Sequence, residues 1–513
     1  MKFHLITLGC PKNSVDSEGM QGLLMAQGHR AVESADAADV VIVNTCSFIQ
    51  AARDETVGLL RDLARAKGPG QSLVAAGCMA ESHRDRLVAD VPGLDATLST
   101  QEWMRIPEVL RRFEDKARGR TSPLPGLIPM IALSPAMPAQ AAPIIPLAPA
   151  AVVSSQPEAP ASTSLGSYGD WRTTPIKRHV RGPSAYLKIS DGCNLRCAFC
   201  SIPSFKGDMR SKAMGAILGE ARELVEAGVQ EIILVAQHLT DYGRDLKLRD
   251  GLATLLDEIC QVVPQDRWVR LMYAYPQSIT PGVMRAIADH PQICRYLDMP
   301  LQHAHPATLR RMRRPPDTER TAALIRELRT AVPDIALRTT FIVGFPGETR
   351  EEYAALLEFL DTMEFDRAGF FRYSQEPGTP AATLEGQVSE RVKQRRWDEA
   401  MAIQQEIALR RSRRWVGRSL RVLVEGSGTA DDGAPLIAGR SYRDAPEIDG
   451  LVWARGSAPA GTFVDVRVER ATPYDLWGTL VAEAVSAVSR QRSALSGQPG
   501  LAFDAVAASH LLS

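Results

Sequence analysis

The sequence predicts an α/β protein in three folded parts: an N-terminal doubly wound α/β domain, a partial (βα) barrel, and a small antiparallel β-barrel. Three observations predict it. Short apolar runs rich in branched residues alternate with helical stretches over 1–115, and the alternation returns six times over 182–415. Over 416–482 the runs become short and alternating, broken by Gly, Asp and Pro. A chain of 513 residues also exceeds what one hydrophobic core usually serves.

In the first part FHLITLG, ADVVIVNT and SLVAAG have the continuous apolar character of buried parallel strands. Helices are expected over about Asp16–Gln27, closed by Gly28, and Phe48–Lys67, closed by Gly68. Residues 116–181 shift to Pro, Ala and Ser without periodicity and are expected to form a flexible linker, since they cannot bury enough surface to offset their ordering entropy. The stretch Leu127–Val153 is apolar but carries Pro129, Pro135, Pro138, Pro143, Pro146 and Pro149, which excludes a bilayer-spanning helix. In the second part the strands are AYLKIS, EIILVAQ, WVRLMYAYP, YLDMPLQH, ALRTTFIVGF and AGFFRYS, separated by helical patterns such as AILGEARELVEAG and REEYAALLEFLDTM. Six parallel units suggest a barrel open on one side, with its chemistry at the strand C-terminal ends. RVLVEG, LVWARG, FVDVRVER and LWGTLV supply the last barrel, and 483–513 is expected to be a poorly ordered tail.

Acidic and basic residues balance at 60 each, which advertises neither a nucleic-acid nor a membrane partner. MKFHLITLGC lacks the cleavage site of a signal peptide, so a cytoplasmic setting is expected. The eight cysteines then read as reduced thiols available for metal.

Six of them form two sets. Cys193, Cys197 and Cys200 in CNLRCAFC follow the strand AYLKIS, in a loop that lets three thiolates converge. Iron–sulfur clusters take thiolates, and three leave one iron open for another ligand. The competing reading is structural cysteines or half a zinc site, but no fourth Cys or His follows closely; His238 and His303 come much later. Cys10, Cys46 and Cys78 are distant in sequence, yet each ends a predicted strand: TLGC, VNTC and AAGC. In an open α/β sheet those ends line one crevice, where a second cluster could form; buried cysteines that only pack are the alternative. Cys260 and Cys294 lie in apolar helical settings and read as structural.

The CxxxCxxC motif resembles the signature of the radical S-adenosylmethionine superfamily. GCPKNSVDSE, NTCSFI, SDGCNLRCAFCSIP, DMPLQH, FIVGFPGET and RSYRDAPEIDG further resemble the methylthiotransferases, in particular the RimO-type branch that modifies a ribosomal protein. The resemblance spans nearly the whole chain except the proline-rich insert and the tail. It implies a radical barrel, a C-terminal module called TRAM, and two 4Fe-4S clusters held by the two cysteine sets. It further implies S-adenosylmethionine as radical source and methyl donor, and an electron donor such as flavodoxin or ferredoxin. The implied reaction adds a methylthio group to the β-carbon of an aspartate in small-subunit ribosomal protein S-twelve; the sister branch acts on adenosine in transfer RNA.

Cofactor contacts are expected at Gly344 and Gly347, where missing side chains permit close approach, although a tight loop explains them equally. Phe199 either stacks on adenine or packs the barrel. Gln237, Gln302 and Arg338 stand at or near strand ends, Arg338 with a fork suited to a carboxylate. The family often has Asp where this chain has His238, which leaves the role of that position open.

From Arg418 to Ala482 there are seven Arg, no Lys and nine Asp or Glu, a net of −2. That sign disfavours stable tRNA binding and suits a basic ribosomal-protein loop, with Asp444, Glu447 and Asp449 as candidate substrate contacts or a solvated turn. The basic runs Lys393–Arg396 and Arg410–Arg414 read by default as a solvated helix face. A transfer-RNA methylthiotransferase and a non-catalytic iron–sulfur scaffold are the competing functions.

Overall fold

The computed structural model describes residues 1–120, 170–174, 177, 178, 180 and 182–481. Most of the stretch read as linker and the whole tail 483–513 lie outside the described residues. By its contacts the chain divides into two compact units, the first ending at Arg411 and the second beginning at Ser412.

The first unit opens with a five-stranded, all-parallel sheet. Its spatial order is Arg30–Ala31, Lys2–Thr7, Val40–Thr45, Ser72–Gly77 and Ala96–Ser99. Alternation along the strands builds a core on each face. Val40, Ile42, Val74 and Ala76 pack with Met20, Leu24 and Leu110 on one side, while Val41, Val43, Leu73 and Ala75 pack with Val57 and Leu60 on the other. The first helix spans Pro11–Ala26, starting earlier than expected. Pro11 suits the first helical turn, and the early turns bury polar Lys12, Asn13, Asp16 and Ser17 in place of an apolar stripe. The second helix, Gln50–Ala66, begins two residues after Phe48.

A second parallel sheet follows in the same unit. Its six strands lie in chain order across the sheet: Ser184–Lys188, Glu231–Val235, Trp268–Leu271, Ile293–Asp298, Ala336–Val343 and Arg367–Arg372. Every neighbouring pair is parallel and the outer strands do not pair, so the barrel is partial, as expected. Helices including Met214–Glu226, Gly251–Val262, Thr318–Ala331 and Arg350–Met363 cover it. Cys260 sits in this core and Cys294 is buried in its strand.

Two expectations fail for a shared reason, namely that composition does not reveal partners. Trp171, inside the stretch read as linker, is buried in the core of the first sheet. In the basic run, Lys393 and Arg396 are buried rather than solvated: Lys393 Nζ donates to the Tyr373 carbonyl at 2.8 Å, and Arg396 pairs with Glu348 at 2.7 Å. Arg411 likewise pairs with Asp366 at 3.0 Å, whereas Arg410 stays half-exposed.

The second unit is a closed five-stranded barrel, ordered Ser419–Thr429, Pro435–Ser441, Val452–Arg455, Leu476–Leu480 and Phe463–Ala471. Four pairings are antiparallel and one, Val452–Arg455 with Leu476–Leu480, is parallel. An odd number of strands cannot close with every neighbour antiparallel, so one such pair is obligatory. The strand PLIAGRS was not anticipated, because Gly439 interrupts its pattern; a Cβ there would lie 2.4 Å from the Leu423 carbonyl oxygen. No helix among the described residues is long and apolar enough to cross a membrane.

Within the first unit, Arg53 of the second helix reaches Glu376 beyond the last barrel strand at 2.5 Å, with both side chains about 95% buried. Removing one partner of such a pair leaves an uncompensated charge, at a cost of about 3–5 kcal/mol. Arg53→Met is expected to destabilise this unit by that order in urea denaturation followed by circular dichroism, and Glu376→Gln added to it is expected to recover more than half the loss.

Candidate active site

Cys10, Cys46 and Cys78 stand directly after or within three residues of the strands Lys2–Thr7, Val40–Thr45 and Ser72–Gly77, which are neighbours in the sheet. Their approach depends on two glycines in the left-handed region. A Cβ on Gly9 (φ 92°) would lie 2.8 Å from Cys46 Sγ, and one on Gly77 (φ 94°) would lie 2.2 Å from Asn44 Oδ1. Asn13 ties the loops together, donating to the carbonyls of Leu8 at 2.9 Å and Thr45 at 3.0 Å. Asn44 donates to the Asn13 carbonyl at 2.9 Å. The thiols lie within electrostatic reach of one another: Cys10 helps raise Cys46, and Cys10 and Cys46 help raise Cys78. Burial is the larger influence and pushes Cys78 up to about 12.

The second trio occupies the loop after the first barrel strand. Gly192 (φ 83°) permits a tight pass against the Asp208 carbonyl, and the short ladder Ser190–Asp191 with Arg210–Ser211 closes the loop base. Backbone bonds pin the loop itself: Cys193 N to Gly207 O at 3.1 Å, Ala198 N to Met312 O at 2.9 Å, and Ala381 N to Ala198 O at 2.8 Å. Burial, and after it repulsion from neighbouring thiols, raises Cys193 and Cys200, with Cys200 pushed up to about 12. Arg314, which sequence reasoning overlooked, approaches Cys197 Sγ at 3.9 Å, stacks over Tyr275 at 4.3 Å and donates to the Pro300 carbonyl at 2.7 Å.

Between the trios lies a buried ionic network. Lys188 of the first barrel strand bonds Asp16 of the first helix, while Lys206 lies 3.3 Å from Asp191 and 3.8 Å from Asp16 and donates to Thr100 Oγ1 at 2.6 Å. All four charged side chains are no more than 3% exposed. Burial alone would lower the Lys206 ammonium, but Asp191, Cys78, Asp16 and Cys10 hold it well above the ordinary lysine value. Among the described residues no three His, Cys, Asp or Glu side chains gather tightly enough for a single metal ion.

The remaining expected residues divide. Gln237 Nε2 donates to Asp191 at 2.9 Å and its buried Oε1 has no hydrogen-bond partner, which leaves an acceptor at a strand end. Gln302 adopts φ 74° and bridges Phe341 through its backbone. Arg338 is already engaged by Asp298 at 2.8 Å. Beside Gly344 the Lys393 side chain comes within 2.3 Å of a Cβ position, and beside Gly347 Arg311 Nε comes within 3.3 Å. Phe199 packs against the apolar cluster of Ala198, Met312 and Phe345. Of the acidic segment, Asp444 is buried and accepts from Ser441 Oγ at 2.6 Å, and Asp449 accepts from Ala445 N at 2.9 Å; only Glu447 is exposed. Asp444 is therefore corrected to a turn-forming residue. His238 is buried beside Tyr275 with neither ring nitrogen hydrogen-bonded, and burial lowers it to about 4.

Comparison with known proteins agrees with this architecture. Residues 2–99 match the uncharacterized protein family UPF0004, 187–360 the radical SAM superfamily, and 416–481 the TRAM domain. A radical S-adenosylmethionine methyltransferase, TsrM, from Kitasatospora setae superposes with a TM-score of 0.53 over 74% of this chain and 73% of its own; at 16% identity the likeness is one of fold. The chain is thus a radical S-adenosylmethionine enzyme, a class that implies the cofactor and one 4Fe-4S cluster. The ribosomal protein uS12 methylthiotransferase RimO of Herpetosiphon aurantiacus is 64% identical over 94% of this chain and 100% of its own length. That of Chloroflexus aurantiacus is 61% identical over 93% and 99%. The chain belongs to the uS12 methylthiotransferase RimO family.

His303 supplies a pH test of the site's packing. Its Nδ1 accepts from His305 N at 2.9 Å, its Nε2 lies 3.7 Å from Glu348, and burial lowers it to about 3. The native state therefore resists a proton that the unfolded chain takes up below 6.5, so this contribution to stability falls as pH drops from 6.5 towards 3. His303→Asn keeps the acceptor without the titration. The stability difference between wild type and variant is expected to shrink by about 1.4 kcal/mol per pH unit across that window, as measured by denaturation at a series of pH values.

Proposed function

We propose that this chain attaches a methylthio group to the β-carbon of one aspartate of ribosomal protein uS12. The observation that carries this reading is the pair of thiol trios set at strand C-terminal ends of two sheets within one compact unit. Family membership supports it through relatives that bear the uS12 methylthiotransferase name.

The donor chemistry fits two cubane clusters. Each trio offers thiols only, and three thiolates leave one iron of a cubane without a protein ligand. Cys193, Cys197 and Cys200 would hold the cluster that cleaves the cofactor, and Cys10, Cys46 and Cys78 a second that delivers sulfur. When bound, these groups and S-adenosylmethionine supply hydrogen abstraction, sulfur and methyl; reducing equivalents would come from a donor such as flavodoxin or ferredoxin.

The protein's own residues orient and screen this chemistry. Arg314 and Lys206 each place a fixed cation against one trio, which favours thiolate over thiol there. The unpartnered Oε1 of Gln237 offers the cofactor a hydrogen-bond acceptor. Neutral His238 adds a buried polar edge near Arg314 without adding charge. Arg338, half-neutralised by Asp298, is a weaker carboxylate partner than its guanidinium alone would be.

Mass spectrometry of uS12 from cells lacking the gene is expected to show one peptide lighter by SCH2, restored by the wild-type chain. Cys46→Ala is expected to lose about half the reconstituted iron, to keep cofactor cleavage to deoxyadenosine, and to leave uS12 unmodified. A variant that loses cleavage and thiolation together, while folded, would overturn the division of labour between the trios.

A further inference from the structure

Five lysines among the described residues are buried, and four have evident partners. Lys188 bonds Asp16, Lys206 pairs with Asp191, Lys212 bonds Glu220, and Lys393 bonds the Tyr373 carbonyl and Glu390. The fifth, Lys12, is 8% exposed and has no ion pair or hydrogen bond to any described side chain; its ammonium lies 3.6 Å over the ring of Tyr273.

Several influences oppose a cation there, although the net effect of the surroundings is to favour it. A buried ammonium without a counter-ion loses hydration that a ring face restores only in part. Lys12 also sits in the first turn of the sixteen-residue helix Pro11–Ala26, whose first turn holds no acid. The positive end of the helix dipole repels a cation there. Lys206 adds a further positive charge close enough to be felt. Against these stand Tyr273, Cys10 and Asp298, in that order, and together they hold the ammonium above its ordinary value. Asp298 is already committed, with Oδ1 accepting from Arg338 at 2.8 Å and Oδ2 from Tyr273 N at 3.2 Å. Tyr273 holds φ 66° just beyond the third barrel strand. Cys10 and Tyr273 are only half-buried, so solvent still reaches the ammonium's neighbours. Tyr275, two residues on, feels Cys193 and Cys197. Lys12 thus lies where the ends of both sheets meet, beside one trio and near the other.

We infer that Lys12 is the carboxylate-recognising residue for the protein substrate: its unpaired ammonium, aided by the N-terminus of its helix, binds the side-chain carboxylate of the residue to be modified. This rests on the reading that the substrate is an aspartate side chain. A carboxylate brought beside Lys12 supplies the direct ion pair that the ammonium lacks and holds the adjacent methylene beside the trio of Cys10. An adenine base offers no such charge, so the same lysine selects a protein acid over a nucleobase.

The test begins by mapping the modified residue on uS12 with the wild-type enzyme, then measures binding of unmodified uS12 and of its Asp→Asn form at that position. Wild type is expected to prefer the acid by on the order of 30-fold; Lys12→Met is expected to abolish the preference and Lys12→Arg to keep part of it. Iron and sulfide content of each reconstituted variant is measured in parallel. Undiminished acid preference in Lys12→Met overturns the inference, and so does loss of cluster iron in that variant, which would assign the cation to the cluster. If wild type leaves uS12 unmodified altogether, the functional reading itself falls and the inference with it.

Discussion

The first unit depends on a buried exchange of charge between its two sheets. Asp16 comes from the first helix, Lys188 and Asp191 from the first barrel strand and its extension, and Lys206 from the short helix after the cysteine loop. None of these charges is tolerable alone at such burial; together they satisfy one another, and Thr100 and Gln237 take remaining hydrogen-bonding positions. The geometry is therefore over-determined, because shifting one sheet against the other strands several charges at once. Lys12 over Tyr273 and Arg53 with Glu376 are further ties across the same boundary. A reaction that takes a radical from one place and sulfur from another needs its two centres at a fixed separation, and a polar interface is more specific in register than an apolar one of equal area.

Burial has a second consequence at the thiols. Left without metal, Cys78 and Cys200 would stay protonated well above neutral pH. Nucleophilic or disulfide chemistry is thereby disfavoured at these positions, whereas metal binding displaces the protons outright. The cations Lys206 and Arg314 offset part of the charge that three thiolates would bring. Each trio thus has a fixed positive group against it, and these arrive by different routes: Lys206 on the barrel side of the boundary faces the first-sheet trio, while Arg314, anchored on Tyr275 and Pro300, faces the cysteine loop.

The strands and the cysteines were legible because both are written locally. VVIVNT and EIILV are buried on both faces and read as continuous apolar runs, and each cysteine of the first trio ends such a run. What escaped was set by tertiary partners. The polar opening of the first helix hid its start, since Lys12, Asn13 and Asp16 face the sheet ends rather than solvent. Lys393 and Arg396 looked like a solvated stripe because nothing nearby in sequence announces Glu348 or the Tyr373 carbonyl. At Gly344 and Gly347 glycine reports only that something comes close, and among the protein's own side chains Lys393 and Arg311 do. Arg314 lies 117 residues from Cys197, a separation that no spacing rule bridges.

Recognition of the substrate must accordingly be sought where charge is unbalanced rather than where it is abundant. The acidic segment near the C-terminal barrel looked promising by composition, yet Asp444 spends its carboxylate on Ser441 and Asp449 on the Ala445 amide, leaving Glu447 as the exposed member. The interior of the first unit is the reverse case. Among the described residues four of its five buried lysines make a direct ion pair or hydrogen bond with another side chain or carbonyl, and the fifth, Lys12, stands beside the trio of Cys10, Cys46 and Cys78 at the positive end of a helix. On the proposal made for Lys12, a site that accepts an anion and then acts on the carbon next to it is served by a cation held rigidly at that point without a direct ion pair of its own, so that the correct side chain completes it on arrival.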